Sequence, residues 1–433
     1  MWWLKNVQVI DPSQELSGVR DVLVAGGKVQ AIAPSFAEEE VAAKSNGEQV
    51  QGVDGQGKFL FPGLIDVHTH LREPGQEEKE DILSGARAAV RGGFTSILAM
   101  ANTSPVIDQR ALVEFVLNQG QRAGLARVYP VGTVSKGMKG EELVEMVDLA
   151  QGGAAAFSDD GKGIQNAELM RLALEYVKLT RCLIISHCED SNLQGKGSMH
   201  KGEASARLGL RGIPSSSETT MLARDLLLAA ETGGRLHVAH VSTREGVEMI
   251  RAAKARGVDV SAEVNPHHLI FTDEDITLTN TSLKVNPPLR SQADREALLA
   301  GLADGTIDML ATDHAPHTWE EKARPFAEAP FGISGLETAL AAMWQHLVKP
   351  GKIKPERVIE AWSTIPARRF GLSGGSLQPG QVADMVLFDP EYREVVRAED
   401  LRSKGQNTPF LGQELQGFPV MTWVGGKLVF SRD

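Results

Sequence analysis

Eight apolar, strand-like segments alternate with helix-like runs between residues 58 and 370, and valine-rich stretches punctuated by Gly-Gly flank them on both sides. These patterns predict an α/β chain: a (β/α)8 TIM-like barrel with a small β-sandwich module formed by both termini. Metal-competent side chains add a third observation, because they fall at the ends of the strand segments, where such barrels carry their active sites. A doubly wound open sheet shares the alternation, and the count of eight favours the barrel.

Residues 1–57 read as short strands and turns, VQVIDP and VRDVLVAGGKVQAIAP followed by DGQGKF. Residues 371–433 repeat the pattern in GQVADMVLFDP and VMTWVGGKLVF. Short antiparallel strands need partners to be stable, so the two ends are expected to join in one module beside a barrel of residues 58–370. The barrel strands are expected, in order, at LFPGLIDVH, TSILAM, RVYPVG, AAAFSD, CLIISH, RLHVAH, VDVSAEV and DMLATD. Helix-like runs follow most of them, and two of these, EKEDILSGARAAVRGG and SETTMLARDLLLAAETGG, stop at Gly-Gly.

Hydrophobic residues at 42% and charged residues at 23% describe a globular chain and exclude a disordered one. The balance of 45 Lys+Arg against 56 Asp+Glu, a net charge of −11, argues against nucleic acid or an anionic membrane as partner. An anionic substrate would need local cations. Two cysteines, Cys182 and Cys188, exclude a disulfide framework and suit a reducing compartment. No run approaches the ~18 apolar residues of a membrane helix, and the opening MWWLKNVQVIDPSQ lacks a signal-peptide core. A cytoplasmic protein is expected.

The strand ends supply His68, His70, Asn102, Asp160, His187, His240 and Asp313. His68 and His70 are two apart, so on a strand they face one side and can grip one ion; a hydrogen-bonded structural pair is the alternative. Arg72 continues that face. A guanidinium beside a metal site calls for a bridging anion, such as a substrate carboxylate. Asp159 and Asp160 are neighbours, so only one can reach the barrel mouth, and both could instead be turn formers before Gly161. His187 and His240 end successive strands at equivalent positions, as a pair of ligands would. Asp313 could be a ligand or a general base, His317 could reach a substrate, and His314 is open to either kind of role. TWEEKARPFAEAPFGISG is a candidate lid or a solvated loop. His237 is out of phase with His240, and His267 and His268 follow a proline turn, so these read as structural, and the Glu38–Glu40 run reads as a solvated face.

The segments DVHTHLREPG from Asp66, AMANTSPV from Ala99, FSDDG from Phe157, HCED from His187, HVST from His240, KVNPPLR from Lys284, ATDHAPH from Ala311 and APFGISG from Ala329 together resemble the amidohydrolase superfamily. Within it the chain resembles the bacterial class I dihydroorotases over essentially its whole length. The resemblance implies two zinc ions per subunit: His68, His70 and Asp313 on the more buried one, His187 and His240 on the second, and Asp160 bridging both. Many relatives bridge with a carboxylated lysine, which keeps Lys162 as the rival to Asp160. It further implies that Arg72, Asn102, Asn286 and His317 hold the substrate, with Phe331 and Gly332 contributing from the lid. Relatives often carry prolines around the methionine before Asn102, where this chain has Ala99 and Ala101, a departure that removes no functional group.

The implied reaction is the reversible cyclisation of N-carbamoyl-L-aspartate to L-dihydroorotate in de novo pyrimidine synthesis. A zinc pair would supply hydroxide at neutral pH, and Asp313 would act as general acid/base. A homodimer is expected, with an aspartate transcarbamoylase complex as a candidate assembly. Two other readings compete. A hydantoinase or allantoinase would share the histidines, but the resemblance implies that it would lack Arg72 in this context. A silent scaffold for a transcarbamoylase would have lost ligands that are all present here.

Overall fold

The computed structural model describes residues 1–432. Eight short parallel strands form one sheet in sequence order: β1 (Leu64–Thr69), β2 (Phe94–Ala99), β3 (Arg127–Gly132), β4 (Ala156–Phe157), β5 (Ile184–Ser186), β6 (Leu236–Val238), β7 (Val260–Val264) and β8 (Met309–Leu310). All eight fall on the segments expected from the sequence, with β1 running one residue past LFPGLIDVH to Thr69 and β2 starting one residue before TSILAM at Phe94. Every residue of β1, β2 and β7 is buried, as strands covered on both faces require. The barrel closes just beyond β8, where Thr69 bridges His314 in parallel and the His70 N–H donates to the His314 carbonyl at 2.8 Å. Below that bridge, buried Asp66 accepts the Thr312 N–H at 3.1 Å and the Thr312 hydroxyl, tying β1 to the chain that follows β8.

The helices between strands end where the sequence places stops. Asp81 caps the helix Ile82–Arg91 by accepting the Ser84 N–H at 2.7 Å, and the helix gives way to Gly92-Gly93. A Cβ at Gly92 would lie 2.0 Å from the Leu336 carbonyl oxygen, so the second glycine function here is close approach of backbones. The helix Ser216–Thr232 ends at Gly233, whose φ of +68° suits glycine.

The termini build a second, mixed sheet of eight strands. It contains Trp2–Asp11, Leu16–Ala25, Lys28–Ala33, Gln51–Asp54 and Phe59–Pro62 from one end, and Met385–Val395, Glu414–Val424 and Lys427–Ser431 from the other. Phe59–Pro62 joins the halves by pairing with Trp2–Asp11 on one side and Met385–Val395 on the other. The expected sandwich takes the form of one curled sheet: Lys28 bridges Val382, and Val29 donates to the Gln381 carbonyl at 3.0 Å. Its core holds Leu4, Val9, Leu60, Leu387 and Trp423, each burial contributing about 1.5–3 kcal/mol.

One expected strand is in fact two. LFPGLIDVH breaks at Gly63, so Phe59–Pro62 belongs to the terminal sheet although it falls inside segment 58–370, and only Leu64–Thr69 enters the barrel. Gly63 donates to the Asp384 carbonyl at 2.8 Å, and a Cβ there would sit 2.2 Å from Thr95 Oγ1. Cys182 and Cys188 are buried and unpaired. Among the described residues no helix is long and apolar enough to cross a membrane.

Candidate metal centre

The carboxyl ends of the barrel strands converge on a cluster of imidazoles and carboxylates. His68 lies on β1 and His70 just past it; Asp160, His187, His240 and Asp313 follow β4, β5, β6 and β8. Asp160 sits between the two histidine pairs. Its Oδ1 is 3.4 Å from His68 Nε2, 3.4 Å from His187 Nδ1 and 3.6 Å from His240 Nε2, and its Oδ2 is 3.5 Å from His70 Nε2. Asp313 Oδ1 completes one side, 3.1 Å from His70 Nε2 and 3.5 Å from His68 Nε2. Two donor groups emerge, His68–His70–Asp160 and Asp160–His187–His240, sharing the aspartate.

These donors fit a metal. Tetrahedral bonds of about 2.1 Å place ligand atoms about 3.4 Å apart, the spacing seen across both groups. Buried His68 Nε2 and Asp160 Oδ1 have no hydrogen-bond partner, a cost that a cation between them removes. Without a metal the cluster traps protons. Burial depresses the His187 imidazole, but Asp160 and Glu189 outweigh it and push its pKa up to about 10. His68 is likewise opposed by burial, and Asp160, Glu263 and Asp313 hold it well above its usual range. Burial raises Asp160, yet the surrounding imidazoles keep it well below the ordinary carboxylate range. A site that binds protons this strongly is one where a cation can take their place.

The backbone is bent to make this arrangement. Arg72, His240 and Asp313 have φ of +63°, +32° and +48°, conformations costing on the order of 1–3 kcal/mol each for residues with side chains. Surrounding contacts fix them: after His240, buried Glu218 accepts the Ser242 and Thr243 N–H groups at 3.2 and 3.1 Å.

Of the two adjacent aspartates only Asp160 reaches the centre. Asp159 turns back to accept the Val134 and Ser135 N–H groups at 2.8 and 3.1 Å. Lys162 points elsewhere, its amine 3.4 Å from the Met138 carbonyl, so the structure brings the aspartate and not the lysine between the histidines. His314 is not part of the cluster: its ring spans Glu80 and the Gly335 N–H, tying the barrel to the Ser403–Lys404 segment that Glu80 also holds. His267 and His268 lie buried in the short helix Pro266–Ile270, outside both donor groups.

Two acids in the surroundings were not singled out from the sequence. Glu263 on β7 is fully buried, 2.7 Å from His68 Nδ1 and 2.9 Å from His237 Nε2, and it accepts the His240 N–H at 3.2 Å. Burial raises its pKa, but His68 and His237 bring it down to about 2. Glu189, in HCED, lies 3.8 Å from His187 Nε2 and accepts from Asn286 Nδ2 at 2.6 Å. The signal for Glu263 was present: an acid on an apolar strand must find a partner.

Beside the cluster a cavity of about 310 Å³ is lined by Arg72, Asn102, Asn286, His317, Phe331 and Gly332, all of the expected substrate contacts. Buried Arg72 supplies the local cation in an otherwise acidic protein, its Nε donating to the Pro316 carbonyl and a terminal nitrogen 3.4 Å from His317 Nε2. Asn102 Oδ1 pairs with His70 Nδ1 at 2.9 Å. The loop bearing Phe331 and Gly332 is pinned from below. Lys322 Nζ donates to the Pro330 and Gly332 carbonyls at 3.0 Å each, and Lys284 Nζ donates to the Ala327 carbonyl while standing 4.7 Å from the centre of the Phe331 ring.

Comparison with known proteins agrees with this geometry. The family model described as Dihydro-orotase-like matches residues 57–246, and the one described as Amidohydrolase family matches residues 220–430. A dihydroorotase of Pelotomaculum thermopropionicum is 49% identical over 99% of this chain and 98% of its own, and one of Geobacillus thermodenitrificans is 46% identical over 99% of both. Among solved structures, the L-hydantoinase of Arthrobacter aurescens superimposes with a TM-score of 0.85 at 27% identity, covering 99% of this chain and 96% of that one. A D-hydantoinase at 22% identity and a TM-score of 0.82 shares the fold. With near-half identity along its full length to such relatives, the chain belongs to the dihydroorotase family of the amidohydrolase superfamily.

Proposed function

We propose that the chain is a zinc-dependent dihydroorotase, interconverting N-carbamoyl-L-aspartate and L-dihydroorotate in pyrimidine synthesis. The observation that carries this reading is a single cavity lined both by Arg72 and Asn102 and by the histidine–aspartate cluster. A small substrate with a carboxylate at one end and a cyclic amide at the other fits between them.

The proposed holders are His68, His70 and Asp313 for one zinc and His187 and His240 for the other, with Asp160 common to both. When bound, the two ions polarise the scissile carbonyl and acidify water. Arg72 clamps the substrate carboxylate by a charge-assisted bond, and Asn102 adds a second contact. Such positioning can remove about 7 kcal/mol or more of the activation barrier. Asp313 takes the proton of the attacking water and delivers it to the ring nitrogen as the C–N bond breaks. In the reverse direction the carbamoyl nitrogen closes on the side-chain carboxyl carbon, and one water leaves for each proton consumed. His317, Phe331 and Gly332 close the cavity over the ring. A homodimer, association with an aspartate transcarbamoylase and a cytoplasmic location complete the reading; sedimentation with and without that partner tests the first two.

The deciding experiment is ring opening of L-dihydroorotate by zinc-loaded protein, with hydantoin and allantoin as controls. Turnover of dihydroorotate alone, lost on chelation, is the expected result. Turnover of hydantoin in its place would transfer the site to another cyclic amide, and absence of both zinc and turnover would leave a scaffold.

A further inference from the structure

The two asparagines on the cavity wall present opposite ends of their amides, and the residues behind them decide which. His70 turns Nε2 toward Asp160 and Asp313, so its ring proton belongs on Nδ1 and is donated to Asn102 Oδ1 at 2.9 Å. Asn102 therefore keeps its NH2 end free, 3.5 Å from the Asp160 carbonyl, as a donor beside Arg72. Asn286 is reversed. Its Nδ2 donates to Glu189 Oε2 at 2.6 Å, and a carboxylate can only accept. Turning the amide over would set its carbonyl oxygen against that carboxylate. The remaining atom, Asn286 Oδ1, is buried and has no hydrogen-bond partner in the protein, while the residue lines the cavity.

We propose that Glu189 is a positioning residue that locks Asn286 with its carbonyl oxygen available to substrate, so that the cavity selects a ring bearing an N–H on that wall. The inference rests on the cyclic-amide reading above and deepens it. Donors at Arg72 and Asn102 meet the carboxylate end of the substrate, and the acceptor at Asn286 meets an N–H. A buried acceptor left unpaired by a methylated nitrogen rejects that analogue strongly, whereas an unlocked amide could turn its NH2 end and tolerate it.

The test compares L-dihydroorotate with its derivative methylated on the ring nitrogen between the two carbonyls, using wild-type, Glu189→Gln and Glu189→Asp proteins loaded to equal zinc content. Methylation should lower wild-type kcat/KM by about 100-fold or more. In Glu189→Gln, whose amide can face Asn286 either way, KM for dihydroorotate should rise about 10-fold with kcat changed less than about 2-fold, and the methylation penalty should shrink to about 10-fold or less. Glu189→Asp, still an acceptor only, should keep the wild-type penalty. An unchanged penalty in Glu189→Gln overturns the proposal, including the case where both substrates lose rate in proportion, which is what a merely structural role produces. If Glu189→Gln does not fold, loss of the penalty in Glu189→Asp overturns it and retention supports it. A readout independent of turnover is the side-chain 15N–1H2 resonance of Asn286 in the zinc-loaded protein. It should differ between wild type and Glu189→Gln, and coincident signals overturn the lock. Wild type that ignores dihydroorotate yet shows the resonance shift removes the functional reading and leaves the lock standing.

Discussion

Nδ1 of His187 and Nε2 of His240 lie 2.9 Å apart, and both face Asp160 Oδ1. Two nitrogens turned on one carboxylate oxygen form half of a site, and the aspartate is the only residue common to both halves among the described donor groups. Unequal effects of substitution follow. His240→Ala should reduce bound zinc from about two equivalents to about one, whereas Asp160→Ala should leave little of either. Both variants should lose activity by about 1,000-fold or more. Elemental analysis after dialysis, beside steady-state rates, checks this; equal zinc content in the two variants would mean that the halves do not share Asp160.

Glu263 reaches both halves at once, through the His68 ring and the His240 N–H. Its second oxygen is held by His237, which in turn contacts Ser261, so the carboxylate is fixed from behind. Glu263→Gln keeps the volume and removes the charge that orients His68 Nδ1–H. Zinc affinity measured by chelator competition should fall about 10- to 100-fold. His237→Asn, which leaves the His68 contact intact, should have a smaller effect. Wild-type affinity in Glu263→Gln would show that the carboxylate is not needed to hold the ring.

Much of this centre was legible in the sequence because it depends on two short-range rules. Alternation along a strand puts His68 and His70 on one side and separates Asp160 from Asp159, and the apolar runs mark where strands end. What alternation cannot see is pairing across the barrel. Glu263 stands 195 residues from His68, and Glu80 lies 323 residues from the Ser403 that it binds. The break at Gly63 was hidden for a related reason. LFPGLIDVH is uniformly apolar because each half is buried, in two different sheets, and only the close approach of Thr95 requires the glycine. The place of His314 in ATDHAPH leaves its role open, and its bonds to Glu80 and Gly335 turn it to structural use.

Arg72 makes a prediction that depends on the substrate rather than on the protein. Its guanidinium is buried at the cavity wall, and both nitrogens with protein contacts have weak ones, at 3.3 and 3.4 Å, leaving capacity for an anion. Arg72→Ala should lower kcat/KM for L-dihydroorotate by about 1,000-fold, the loss expected for a buried charge-assisted pair. Arg72→Lys should recover only part of that, because an ammonium cannot make the two-pronged contact. Zinc content should be unchanged. An analogue without the carboxylate should be hydrolysed slowly and equally by both variants and the wild type, and a large loss on that analogue would show that Arg72 acts on the metal centre instead.

The loop that carries Phe331 and Gly332 stands on a buried amine, and this gives a pH dependence of stability with a definite sign. Burial, reinforced by the nearby Lys284 ammonium, lowers the Lys322 pKa from its ordinary 10.5 to about 7. Burial also lowers Lys284, to about 8. In the unfolded chain both amines stay protonated until the ordinary lysine range. Between pH about 7 and about 10 the unfolded state therefore binds more protons than the folded state, and stability contributed by these groups rises with pH. Below pH 7 both states are protonated at Lys322 and that dependence disappears. In Lys322→Met the amine is gone, together with its bonds to the Pro330 and Gly332 carbonyls. Urea denaturation of both proteins at several pH values isolates the effect. The wild type should gain on Lys322→Met steadily from pH 7 to about pH 10, because both proteins retain Lys284 and only the wild type carries the Lys322 amine. A difference that stays flat over that window would mean that Lys322 keeps its proton in the folded protein, held by the two carbonyl oxygens against the cost of burial.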